Sequence, residues 1–164
     1  DFILQSAKKL EDNPNLHFLL IGGGAMKESL LKLKDELGCT NVTMLDSVMK
    51  EEVARYISIL DVCLINLKKS PLFTTVIPSK IFENAGMGIP ILMGVEGEAK
   101  DIISQYGAGL CFEPENFDDF KQKLTALLEP ATYAKCKEGC RNLADNFDRK
   151  LLAANMLKVI ESAK

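Results

Sequence analysis

Residues Thr75–Pro90 read Thr-Val-Ile-Pro-Ser-Lys-Ile-Phe-Glu-Asn-Ala-Gly-Met-Gly-Ile-Pro. The spacing predicts a loop, a short helix and the lead-in to a buried strand. Pro78 lacks the amide that a helix start leaves orphaned, and Ser79 suits a cap. The helix carries Lys80, Ile81, Phe82, Glu83 and Ala85. Gly86 and Gly88 suit its end, since glycine tolerates the left-handed cap and Pro90 cannot continue a helix. A helix start offers free backbone N–H groups and a partial positive charge, a favourable place for a phosphate. Lys80 adds a full charge there. Glu83, one turn further in, sets a carboxylate where a diol such as a ribose can donate to it.

Upstream of this stretch, apolar residues recur at helical spacing over residues 2 to 10. His17 to Ile21 is a continuous apolar run, as expected of a strand covered on both faces. Gly22-Gly23-Gly24 follows, then an amphipathic helix marked by Met26, Leu30, Leu33 and Leu37 and ending at Gly38. Val42 to Leu45 is a second strand, Lys50 to Leu60 a helix, and Val62 to Ile65 a third strand. The loop Asn66 to Ile77 is longer than most connections in α/β units, and such loops are usually functional. Downstream, Ile89 to Met93 is a fourth strand, Glu98 to Tyr106 a helix, and Leu110 to Phe112 a fifth strand. Pro114-Glu115-Asn116 opens a helix with Phe117, Phe120, Leu124 and Leu127 as its apolar stripe. Pro130 starts another, and residues 147–160 form a last helix.

Strands alternate with helices, and most strands are apolar on both faces. The expected fold is therefore α/β, a doubly wound, Rossmann-like parallel sheet with helices on both faces. In such sheets ligands bind outside the carboxyl ends of the strands. The Gly22 loop, Asn66 to Ser79 and Gly94 to Glu98 all follow strands, and together they predict one crevice lined by three loops.

The 164 residues amount to one ordinary domain, 47% hydrophobic and 26% charged. A formal charge of −3, with lysines and arginines scattered, argues against a nucleic-acid partner. An odd count of five cysteines, two of them in apolar strand-like runs, points to reduced thiols and a cytoplasmic setting. Cys136 and Cys140 can share a helix face, but four N/S ligands are the norm for structural zinc, and the single His17 is remote in sequence, so no metal is expected. No apolar run reaches the roughly 20 residues that span a bilayer. The chain opens on Asp-Phe-Ile-Leu-Gln, in mid-helix style, and is expected to be part of a longer one.

The Pro-Ser-Lys-Ile-Phe-Glu segment, Leu-Leu-Ile-Gly-Gly-Gly, Val-Thr-Met-Leu-Asp-Ser-Val, Asp-Val-Cys-Leu-Ile and Gly-Ala-Gly-Leu, in this order and spacing, carry a family resemblance. The chain resembles the C-terminal, donor-binding half of a GT-B glycosyltransferase of the retaining family 4 type. It is most similar to bacterial transferases of capsule, O-antigen and exopolysaccharide synthesis. The resemblance implies a domain over 1–164 that binds a nucleoside diphosphate sugar, a UDP-sugar above all, as substrate and without a cofactor. It implies an acceptor sugar or lipid-linked sugar held by an N-terminal domain missing here, and a parent enzyme in the cytoplasm or peripheral at the inner membrane. Relatives show two glutamates at fixed spacing. Glu83 matches the second, which binds ribose. The first, at the donor-sugar position, falls on Thr75, which is not acidic. Pro78 takes the place of a glycine, removing one backbone donor. Ser79 and Lys80 would contact the diphosphate, Gly22 and Gly24 would belong to the donor-binding loops, and the backbone near Val48 would hold the base. The basic residues that neutralise the diphosphate in relatives lie upstream of Asp1.

Other readings of the same residues stand beside this one. Ser79 can be a cap alone, Gly22–Gly24 a tight turn, and Glu83 a carboxylate set against the helix dipole. A sugar-nucleotide epimerase or phosphorylase shares the two-domain fold. A non-catalytic interaction or regulatory module can use the same scaffold, since fold does not fix function.

Overall fold

The computed structural model describes residues 1–162, so the last two positions of the expected 1–164 domain lie outside it. The chain divides into two compact units, one over Asp1–Ala54 and one from Arg55 onward.

In the first unit, α1 (Phe2–Lys9) precedes β1 (Phe18–Ile21), α2 (Lys27–Leu37) and β2 (Val42–Leu45). The two strands pair in parallel, Phe18 opposite Val42 and Ile21 opposite Leu45. Parallel neighbours need a crossover, and α2 supplies it. Leu4, Ala7, Cys39 and Val42 form the core, with Phe18, Leu30 and Leu37 packed against it. Gly38 ends α2 in the left-handed conformation, as its sequence position predicts. Glu11 ties the end of α1 to the turn before β2. Its carboxylate accepts from the Thr40 amide at 2.7 Å, the Thr40 hydroxyl at 2.6 Å and the Lys8 ammonium at 2.5 Å. The Lys8 hydrogen bond, then those from Thr40, hold the Glu11 carboxyl down at about 2.

The second unit follows α3 (Lys50–Ile57), within which the boundary falls. It contains β3 (Cys63–Asn66), a 3₁₀ turn (Pro71–Phe73), α4 (Lys80–Gly86), β4 (Ile91–Gly94), α5 (Glu98–Tyr106) and β5 (Gly109–Cys111). Three helices complete it: α6 (Phe117–Leu128), α7 (Pro130–Asn146) and α8 (Arg149–Ser162). The sheet runs β3-β4-β5, all parallel. Every residue of β4 is buried, which is why its sequence is an unbroken apolar run. Ile91 and Met93 pack with Ile81 and Ala85 of α4, Ile103 of α5, and Cys140 and Leu143 of α7. On the other face α6 covers β4 and β5, and Phe120 meets Phe112 edge-on with centroids 5.1 Å apart. Helices thus flank this sheet on both faces.

Element ends follow local chemistry. The Asn116 side chain caps α6 by accepting from the Asp119 amide at 3.1 Å, and Pro130 stands in the first turn of α7. Of the two glycines expected to end α4, Gly86 lies inside the helix and Gly88 takes the left-handed role, at φ 70°. The Gly88 amide donates to Ala85 O at 2.9 Å and the Ile89 amide to Asn84 O at 3.0 Å, a Schellman closure. The last helix starts at Arg149, not at residue 147. Phe147 instead packs against Phe82 and Tyr106, with centroids 4.8 and 5.8 Å away. The Asp148 carboxylate caps the helix, accepting from the amides of Lys150 and Leu151 at 2.9 and 3.1 Å. Along α8, Leu151, Leu152, Met156, Leu157, Val159 and Ile160 are exposed. No helix among the described residues is long and apolar enough to cross a membrane.

Candidate functional site

Residues Thr75–Pro90 lie wholly in the second unit. Thr75, Ser79, Lys80 and Glu83 are exposed, and Pro78 is half-buried. Ile81 and Ala85 anchor α4 from its inner face, and Asn84, also buried, donates to Lys80 O at 2.8 Å. That anchoring turns Lys80 and Glu83 outward. They stand three residues apart yet form no ion pair. Among the described residues the side chains of Ser79, Lys80 and Glu83 make no hydrogen bond or ion pair at all.

Ser79 departs from its expected local role. It occupies the cap position, but its backbone is already helical, at φ −58° and ψ −27°, and its hydroxyl accepts no amide of the helix. A capping side chain normally needs an extended backbone to reach back. The hydroxyl therefore faces outward, and of the first α4 amides only that of Lys80 lacks an acceptor among the described residues, since those of Ile81 and Phe82 donate to Pro78 O and Ser79 O at 3.1 Å.

The loop before α4 is held at several points. The Glu98 amide donates to Thr74 O at 3.0 Å. Gly97, at φ 80°, lies against the same carbonyl; a Cβ there would stand 1.9 Å from the oxygen. Further back, the Lys69 ammonium pairs with Glu113 at 2.5 Å, and the Lys69 amide donates to Glu115 at 3.2 Å. Lys69 holds the Glu113 carboxyl below its usual range, aided by Asn116. Glu115 itself sits at φ 64°, uncommon for a residue with a Cβ. Between these anchors a cavity of about 230 Å³ opens, lined by Lys68, Ser70, Phe73, Thr74, Val95 and Glu96 among others. Two of the three expected loops, Asn66–Ser79 and Gly94–Glu98, thus meet at the carboxyl ends of β3 and β4. The Lys69 clasp escapes sequence reasoning: its partners lie 44 and 46 residues away and carry no local periodicity.

Gly22, Gly24 and Val48 belong to the first unit. A Cβ built on Gly22 or Gly24 meets nothing within 4 Å, whereas one on Gly23 stands 3.0 Å from Ser47 Oγ. The glycine loop and the Asp46–Val48 segment are therefore neighbours, and Lys27 pairs with Asp46 between them. Val48 is half-buried. Open space above two glycines is what close backbone approach by a ligand requires. Among the described residues no group of three or more His, Cys, Asp or Glu is placed to hold a metal ion.

The family model described as glycosyl transferases group 1 matches residues 1–146. No curated protein matches the sequence. Among solved structures, sucrose-phosphate synthase from Thermosynechococcus elongatus is similar at 19% identity and a TM-score of 0.80, over 99% of this chain and 41% of that one. HepE from Anabaena, in complex with UDP-glucose, is similar at 15% identity and a TM-score of 0.79, over 98% and 44%. A glycosyltransferase from Rickettsia africae is similar at 17% identity and a TM-score of 0.76, over 98% and 43%. The chain spans less than half the length of these structures. They show the fold, the α/β arrangement of GT-B glycosyltransferases with parallel sheets flanked by helices.

Proposed function

This chain belongs to the group 1 glycosyl transferases, and from that premise we propose that it is the donor-binding domain of a larger sugar transferase and binds a nucleoside diphosphate sugar. The observation that carries the reading is the outward set on α4. A hydroxyl, an ammonium and a carboxylate, all without side-chain partners among the described residues, stand at the cap and along one face of a short helix behind a pinned loop.

The side chains of Ser79 and Lys80 and the Lys80 amide at the start of α4 receive the diphosphate, where the helix dipole and the ammonium act together. Pro78 fixes the backbone that presents them. Glu83 accepts hydrogen bonds from the ribose hydroxyls. Thr75 offers a neutral hydroxyl at the donor-sugar position, a weaker acceptor than a carboxylate. The open ground over Gly22 and Gly24 admits phosphate or sugar close to the backbone, and the backbone at Val48 holds the base. Uridine is the proposed base; similar folds have been solved with UDP and with UDP-glucose bound.

In the parent enzyme the sugar passes with retention to an acceptor sugar or lipid-linked sugar on a further domain. Stabilisation of the departing diphosphate is this domain's contribution to the barrier. The exposed apolar side chains of α8 fit a chain that continues its packing with such a domain. Capsule, O-antigen or exopolysaccharide synthesis is the proposed setting, in the cytoplasm or at the inner face of its membrane. Calorimetric titration with UDP tests the core of this reading. Saturable binding that Glu83→Ala abolishes or weakens supports it; a folded chain that ignores millimolar UDP returns the domain to the class of interaction modules.

A further inference from the structure

The Leu67 amide donates to Gly94 O at 3.2 Å, one rung beyond the pairing of β3 with β4. Past that rung the two chains separate. The cavity of about 230 Å³ opens between them, with residues 68–74 on one side and Val95 and Glu96 on the other. The backbone of Glu96 is held on both flanks: Val95 is buried, and Gly97 lies against Thr74. Its side chain is exposed, as is that of Lys68 across the cavity. Among the described residues neither side chain makes a hydrogen bond or an ion pair. The other polar side chains of the lining are already engaged. Lys69 pairs with Glu113, Ser70 accepts from the Leu72 amide, and the Thr74 hydroxyl donates to Pro71 O. One carboxylate and one ammonium, close together and not paired with each other, are what the cavity leaves free.

We propose that Glu96 is a specificity-determining residue, which receives the hydroxyls of a neutral hexose on the donor and disfavours a hexuronic acid; the proposal rests on the donor-binding reading above. A carboxylate offers lone pairs to two adjacent hydroxyls, and an ammonium donates to hydroxyl oxygens. A neutral polyol uses both groups at once. An acidic sugar brings its charge against Glu96, and a free cation against Lys68. The size agrees: about 230 Å³ is the share of about eight water molecules at ~30 Å³ each, room for one sugar residue and not for a whole nucleotide. The place agrees too. The cavity lies outside the carboxyl ends of parallel strands, and its wall residue Thr74 leads directly into Thr75 and on to Ser79 and Lys80 in the same unit. The held backbone on either side of Glu96 keeps the ordering cost of such a contact low.

The test is calorimetric titration of the 164-residue chain with UDP, UDP-glucose, UDP-galactose and UDP-glucuronate. Wild type binds at least one of the two neutral UDP-hexoses at least fivefold more tightly than UDP-glucuronate. Glu96→Gln keeps the shape and removes the charge. It weakens that UDP-hexose at least fivefold, closes the gap to UDP-glucuronate, and leaves the Kd for UDP within twofold. Should the variant fold poorly by circular dichroism, Lys68→Met removes the facing donor, and it lowers UDP-hexose affinity at least threefold with UDP affinity kept. UDP-glucuronate bound as tightly as both neutral donors, hexose affinity indifferent to these substitutions, or an equal loss for UDP and the UDP-hexoses overturns the proposal while the donor-binding reading stands. A wild-type chain that ignores UDP and all three sugar nucleotides overturns both.

Discussion

Gly97 lies against the backbone of Thr74, so close that a Cβ on Gly97 would stand 1.9 Å from the Thr74 oxygen, while the Glu98 amide donates to that same oxygen at 3.0 Å. The contact joins the loop that carries Thr75 to the start of α5. Gly97 also adopts φ 80° and ψ −147°, a region that side-chain-bearing residues avoid.

Gly97→Ala therefore loses on two counts, backbone strain and steric displacement of Thr74. The expected cost is about 1–3 kcal/mol, read as a lower midpoint in urea unfolding. Amide exchange at Glu98 accelerates in the variant as its acceptor is pushed away. Wild-type protection at Glu98 would show that the loop is fixed elsewhere.

Glu11 gives the first unit a distinct acid response. Its folded pKa, about 2, lies below the ordinary carboxylate value of 4.5. Its contribution is fully present above the ordinary value and is lost as pH falls through that value towards 2. Glu11→Gln is thus less stable than wild type at neutral pH, and the difference shrinks through this window. Denaturation midpoints for both proteins between pH 2 and 6 check it; a constant gap across the series contradicts it.

Phe120 is 1% exposed and meets Phe112 across the sheet. Truncation to alanine leaves a cavity between α6 and the strands, with an expected loss of about 3–5 kcal/mol. Chemical denaturation measures it. A loss below about 1 kcal/mol would mean that α6 collapses onto β4 without penalty.

Much of this architecture is legible because its signals are local. The apolar run of β4, the glycine at the end of α2, Pro130 and Asn116 announce their elements within a few residues. The site segment is legible for the same reason: Thr75, Pro78, Ser79, Lys80 and Glu83 are close in sequence, and one pinned loop and one helix carry them. Details that rest on backbone angles are not. Ser79 has the residue type of a cap and the dihedrals of a helix, and no composition rule distinguishes the two. Phe147 reads as the first apolar position of a helix, yet Phe82 and Tyr106 draw it into the packing. The clasp of Lys69 on Glu113 and Glu115 joins segments more than forty residues apart, and only the folded chain reveals it.

The central claim is that the carboxylate of Glu83 receives the donor's ribose, and UDP titration of the wild-type chain against Glu83→Ala addresses it most directly. Loss of a hydrogen-bonded charged acceptor is worth about 1.5–3 kcal/mol, roughly a ten- to hundredfold rise in Kd. That rise, with folding unchanged, is the predicted result. Identical Kd values for the two proteins would contradict the account.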